Sequence, residues 1–137
     1  MHLQVIGVRE SEGSALDSMS DSTYPPPMSP PDKPLVWLHG AVKSPPLSHE
    51  GRLYAGVLLR RLQRGETLPM PYARPMPAVG GRCGEIRIVD DGSIWRIIYR
   101  IDEDAIVILD VYQKKTTKTP QRVIAACRQR LRDYDAG

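Results

Sequence analysis

The sequence predicts a small α+β domain, a mostly antiparallel sheet of about four strands with helices on one face and a C-terminal helix. Two observations lead there. Three strand-like runs follow one another closely between residues 85 and 112, separated by turn signals. Two segments with apolar residues at the helical period flank that meander, one before it and one at the C-terminus.

The first strand is Leu35-Val-Trp-Leu38, a short apolar run. After Ser44-Pro45-Pro46, residues 47–64 read as a helix. Leu47, Gly51, Tyr54, Ala55, Leu58 and Leu62 lie on one stripe, Arg52, Arg60, Arg61 and Arg64 lie off it, and Gly65 stops the helix. Residues 66–82 contain four prolines and read as a long loop. Glu85-Ile-Arg-Ile-Val89 then alternates polar and apolar. Asp90-Asp-Gly92 is a hairpin turn signal, because glycine accepts positive φ cheaply. Ile94–Ile101 is the next strand, Asp102-Glu-Asp104 the next turn, and Ile106–Tyr112 a strand apolar enough to be central. A last helix runs from about Pro120 to Tyr134, with Thr119 as N-cap and Val123, Ile124, Cys127, Leu131 and Tyr134 on its inner stripe.

Two regions differ in charge. Residues 1–33, rich in proline, serine and acidic residues, carry a net charge of −3; residues 34–137 carry +6. The first region is expected to be a disordered or extended appendage, since it has too little apolar surface to offset its ordering entropy. Residues 1–27 are read as dispensable or as a mis-assigned start, because Met28 stands just before the folded part. The second region is the folded domain, and its excess of cations fits a polyanionic partner.

Other classes are disfavoured. Cys83 and Cys127 form no metal-binding spacing, and His2, His39 and His49 are scattered, so neither a metal nor another cofactor is expected. No apolar run suits a bilayer and the N-terminus lacks a secretion signal, so a cytoplasmic protein without membrane contact is expected.

The candidate chemistry lies on the meander. Glu85 and Arg87 share one face of their strand by parity, and Arg96 and Arg100 share one face of the next. Guanidinium groups so gathered suit phosphate, although a solvated sheet face gives the same pattern. From Lys114 to Arg132 there are seven basic residues and no acidic one, with Lys114, Lys115 and Lys118 where the strand leaves the sheet. Glu85 is either a catalytic carboxylate or the ion-pair partner of a neighbouring arginine. Tyr99 has the parity of Trp95, Ile97 and Ile101, which favours the core. Trp37 and Trp95 read as core, and His39 and His49 as surface residues.

The succession Gly84-Glu-Ile-Arg-Ile88, Trp95-Arg-Ile-Ile-Tyr99, Asp110-Val-Tyr-Gln-Lys-Lys115 and Lys118-Thr-Pro120 resembles the phage-derived HigB-like toxins of the RelE/ParE superfamily. Lys33-Pro-Leu-Val-Trp-Leu38, Leu62-Gln-Arg-Gly-Glu66 and Arg74-Pro-Met-Pro77 fit as well, so the likeness spans about residues 33–133. Trp95 stands where the family usually has tyrosine, and Tyr112 where it has phenylalanine.

The resemblance implies a RelE-like fold and a type II toxin–antitoxin role. It implies metal-independent cleavage of mRNA on the ribosome, with a helix-turn-helix antitoxin of the HigA type as partner. Carried onto this sequence, Arg96 would stabilise the phosphate, with Lys114, Glu85 and Tyr99 as the other catalytic candidates. Either Glu85 or a lysine of lowered pKa would act as base, and Tyr99 as acid or stacking residue. Arg87, Lys115, Arg100 and Lys118 would bind RNA. A gyrase-poisoning toxin of the ParE type and an inactive prophage-derived binding protein are the alternatives.

Overall fold

The computed structural model describes residues 32–44 and 46–137, together with the backbone of a short strand at Gln4–Ile6. The elements are β1 (Gln4–Ile6), β2 (Leu35–Trp37), α1 (His49–Gln63), β3 (Ala73–Pro75), β4 (Cys83–Asp90), β5 (Ser93–Ile101), β6 (Ile106–Lys114) and α2 (Gln121–Ala136). They form one six-stranded sheet in the order β1-β2-β6-β5-β4-β3. Every neighbouring pair is antiparallel except β2 and β6, which run parallel.

The α+β class agrees with the sequence expectation, but the sheet is larger and differently covered. β1 lies inside the stretch read as an appendage, and so do Asp32 and Lys33, the latter donating its amide to the Gln63 carbonyl at 2.9 Å; the rest of that stretch is outside the described residues. β3 lies inside the stretch read as loop. Three residues with a proline at an edge give no periodicity to detect, and Pro75 is tolerated there because an edge strand can lack a donor.

The helices lie on opposite faces of the sheet, not on one. α1 packs Ala55, Leu58, Leu59 and Leu62 against Ile86, Ile88, Ile97, Ile106 and Ile108. α2 packs Val123, Ile124, Cys127 and Leu131 against Val36, Ile98, Val107 and Leu109 on the other side. The cause is visible in β5 and β6. Ile97 and Ile98 are both buried, as are all of Ile106–Leu109, so both sheet faces need a cover. The two cysteines are free and buried, and Cys127 is pushed up to about 12 by burial.

α1 starts where the sequence places it. Ser48 is its N-cap and accepts from the Gly51 amide at 3.0 Å. Asp90, the last residue of β4, accepts from the Ser48 amide at 2.8 Å and from the Ser48 hydroxyl. Gly51 allows this approach: a Cβ there would lie 2.5 Å from the Asp90 carboxyl carbon. The adjoining Asp91-Gly92 turn takes positive φ at both residues (53° and 82°), as a two-residue hairpin requires.

At the other end, the N-cap of α2 is Pro120 and no side chain caps it. Thr119, expected as the cap, turns its hydroxyl to the sheet instead. In β6 a bulge matters for docking. Ile98 pairs with Asp110 and Tyr99 with Ile108, which leaves Leu109 as an extra residue. Arg130 of α2 donates to the Leu109 carbonyl at 2.9 Å and approaches Asp110 at 3.6 Å, fixing the helix to the bulge. Among the described residues no helix is long and apolar enough to cross a membrane.

Two outcomes test the α1–hairpin joint. Gly51→Ala drives a methyl group into the Asp90 carboxylate and should cost about 1–3 kcal/mol, read as a lower thermal midpoint. The two hydrogen bonds from Ser48 hold the Asp90 carboxyl below its ordinary value. That contribution is therefore complete above about pH 4 and is lost as the pH falls through the lowered folded-state value. The stability gap between the wild type and Asp90→Asn should close on acidification; a gap independent of pH would refute the assignment.

Candidate functional site

On the α2 side of the sheet, beyond the first turn of that helix, the apolar core gives way to charge. Cross-strand register builds the surface. Arg87 of β4 pairs with Arg96 of β5, which pairs with Tyr112 of β6. One row further, Arg74 of β3 pairs with Glu85 of β4. Paired residues share a face, so Arg74, Glu85, Arg87, Arg96 and Tyr112 all point to one side. Lys114 follows Tyr112 by two residues on the same face.

Glu85 is the hub. It is 0% exposed and both of its carboxylate oxygens are occupied. Oε1 accepts from Arg74 Nε at 3.1 Å and lies 3.0 Å from Arg74 Nη2 and 3.4 Å from Arg96 Nη1. Oε2 accepts from the Tyr112 hydroxyl at 2.8 Å and the Thr119 hydroxyl at 3.1 Å. An enclosed carboxylate with no free lone pair facing solvent cannot reach a substrate proton. Its geometry is that of an anchor that orients its neighbours. Burial, followed by the bond to Glu85, pushes Tyr112 up to about 12, so its phenol stays protonated as a donor.

Around this one carboxylate stand four cations, Arg74, Arg87, Arg96 and Lys114. Arg96 is nearly buried, and its Nε is enclosed without a hydrogen-bond partner. Burial lowers its pKa, Glu85 opposes that, and Arg74 and Arg87 add to it. Arg87 faces it across the strands, and its guanidinium makes no hydrogen bond or ion pair to another described residue. Two arginines directly opposed across strands repel one another, so the arrangement is one that an incoming anion relieves. Lys114 is lowered from the ordinary lysine value, first by burial and then by the charge of Arg96. A larger fraction of it is therefore neutral near pH 7 than for a lysine in water.

The remaining residues expected from the sequence divide. Lys115 and Lys118 are exposed, just past the end of β6 and close in sequence to the cluster. Tyr99 lies on the opposite face of β5, in the α1 core, 6% exposed, with its hydroxyl under Gly84. It is therefore not an acid or a stacking residue of this surface; the bulge beside it leaves its parity with Ile97 unchanged. Arg100 shares the face of Arg96 but is fully engaged. It holds Asp102 (2.7 and 2.9 Å) and Asp135 (2.8 and 2.9 Å), and these bonds raise its pKa further. It clamps α2 to the sheet and has no donor pair left for RNA.

Three members went unseen in the sequence: Arg74, Tyr112 as a hydroxyl donor, and Thr119. Arg74 sits in a proline-rich stretch whose pattern reads as loop, and Thr119 precedes a helix, where its residue type reads as a cap. The one available signal was that a charged Glu85 between apolar positions demands partners. Among the described residues no group of three or more His, Cys, Asp or Glu is gathered to hold a metal ion.

The hub has a measurable consequence. Glu85→Ala leaves Arg74 and Arg96 packed together without a counter-ion and should cost about 3 kcal/mol or more in urea denaturation. Tyr112→Phe removes one hydrogen bond to a charged group and should cost about 1.5 kcal/mol. Equal, negligible losses for both would contradict the network.

No curated protein matches the chain. Residues 46–132, from just before α1 to late in α2, match the family described as "Phage derived protein Gp49-like (DUF891)". That span contains β3 to β6 and with them every residue of the cationic surface, and the chain belongs to this phage-derived Gp49-like family.

Proposed function

We propose that this protein is the toxin of a type II toxin–antitoxin system, of the HigB type, and that it cleaves mRNA on the ribosome without a metal. The observation that carries the reading is the nearly buried Arg96, held by Glu85 and surrounded by Arg74, Arg87 and Lys114, on a surface with three more positive than negative charges. The Gp49-like family, within the RelE/HigB-like toxins in general, supports the biological role.

RNA carries its own nucleophile, the 2′-hydroxyl. Lys114 in its neutral form takes that proton. The 2′-oxygen attacks the adjacent phosphorus, the bond to the 5′-oxygen breaks, and a 2′,3′-cyclic phosphate forms. Solvent at the open edge of the cluster protonates the departing 5′-oxygen. Arg96 and Arg87 receive the charge that develops on the phosphoryl oxygens, an effect that works best with donors fixed in advance. Glu85, Arg74 and Tyr112 do that fixing. Glu85 is thus a positioning residue, and the base falls to Lys114.

An acidic antitoxin surface of the HigA type would cover the same cations in the resting cell. No feature of the surface favours gyrase poisoning or an inert binding role over cleavage.

Induction of the wild type should arrest growth, and primer extension should map cuts within translated codons. Arg96→Ala should lower the cleavage rate about 10²–10³-fold. DNA breaks with intact messages would replace this reading with gyrase poisoning; no arrest at all would leave a prophage remnant. Because the Lys114 pKa is lowered, the rate should rise with pH through a value below that of ordinary lysine and then level off. Lys114→Ala should abolish that rising limb, and a limb that survives the substitution assigns the base elsewhere.

A further inference from the structure

A second arginine-lined site lies on the same side of the sheet, away from the cationic cluster. It is an open cavity of about 460 Å³ between the C-terminal half of α2 and the backbone leading into β4. Gly80, Gly81, Arg82, Arg128, Arg132 and Asp135 are among the residues that line it. We propose that this cavity binds a second, uncut phosphodiester of the same RNA strand, an inference that rests on the RNA-cleaving reading above.

The charges are already sorted for such a ligand. Arg100 forms one wall, but Asp102 and Asp135 neutralise it. Arg82 is pinned by the Ile101 carbonyl at 2.9 Å and by Asp102 at 3.3 Å. The Arg128 guanidinium has no hydrogen bond or ion pair to any described residue, and that of Arg132 has only the neutral Gln129. Both are exposed and stand four residues apart on one face of α2. Two unneutralised guanidinium groups beside glycine backbone suit a phosphate oxygen, which accepts from forked donors.

The path between the two sites supports one strand over two separate ligands. At 100° per residue, Gln121, Ala125, Arg128 and Arg132 fall on one stripe of α2. The stripe begins beside Thr119, which touches Glu85, and ends in the cavity. Its middle member, Ala125, is small and exposed, so nothing bulky interrupts the track. Arg82, the residue before β4, lies five residues before Arg87, at most about 16 Å along the chain, a span of a few nucleotides. An acidic protein segment would use the same cations. The continuity with the phosphate-handling cluster favours the nucleic acid.

The test uses the full chain and two uncleavable probes, a 2′-deoxy dinucleotide and a 2′-deoxy octanucleotide, in fluorescence anisotropy. The double variant Arg128→Ala, Arg132→Ala should weaken the octanucleotide at least about tenfold and leave the dinucleotide unchanged. Its salt slope for the octanucleotide should fall by about 0.7, the value for one phosphate contact on a single strand. A folded double variant, checked by thermal melting, that keeps wild-type affinity for the octanucleotide overturns the proposal, as does equal weakening of both probes. An Asp/Glu-rich peptide that outcompetes the octanucleotide, and loses this advantage in the double variant, replaces RNA by an acidic protein partner. Wild type that cuts messages but ignores the double substitution removes only the second site. Wild type that binds the octanucleotide through these arginines yet cuts nothing removes only the cleavage reading. Wild type that binds neither probe removes both.

Discussion

A carboxylate taken wholly out of water is the constraint on which the functional half of this domain depends. Glu85 has no solvent to stabilise its charge, so its two oxygens must be met by protein donors. Those donors come from four places in the chain: Arg74 on β3, Arg96 on β5, Tyr112 on β6 and Thr119 at the start of α2. Satisfying one anion therefore fixes an edge strand, the middle of the sheet and a helix start relative to one another.

The same requirement explains the excess of cations nearby. Glu85 offsets the burial of Arg96, but Arg74 is shared with it, and Arg87 and Lys114 are matched by no further acid among the described residues. Such a surface is unfavourable in the free protein and becomes favourable when a polyanion arrives. Stability at the hub and the surplus of positive charge at its rim thus arise from one arrangement, and under the proposed function the anion provides the scaffold and the surplus cations the phosphate contacts. The loss of Glu85 as a candidate base follows directly, because a group enclosed by its partners has no path to a substrate.

The opposite end of the same sheet face handles charge differently. Arg100 meets two aspartates and is spent on holding α2, whereas Arg128 and Arg132 are left to solvent. Arginines of similar appearance in the sequence therefore have unlike roles, set by whether a carboxylate lies within reach after folding.

Local pattern determined much of this protein. The period of Ala55, Leu58 and Leu62, the Asp-Gly turn and the apolar run of β6 specify their elements because helix and strand periods and turn φ angles depend on near neighbours. Parity alone put Glu85 with Arg87, Arg96 with Arg100, and Tyr99 with the core. What parity leaves open is which strands become neighbours, in what register, and which helix covers which face. Those follow from long-range packing: the parallel β2–β6 pair, the bulge at Leu109, the helices on opposite faces, and the edge strand carrying Arg74. The burial of Glu85, the unfilled hydrogen-bonding of Arg96 and the engagement of Arg100 were decided there, because each depends on groups distant in the chain that only the folded sheet brings within hydrogen-bond distance.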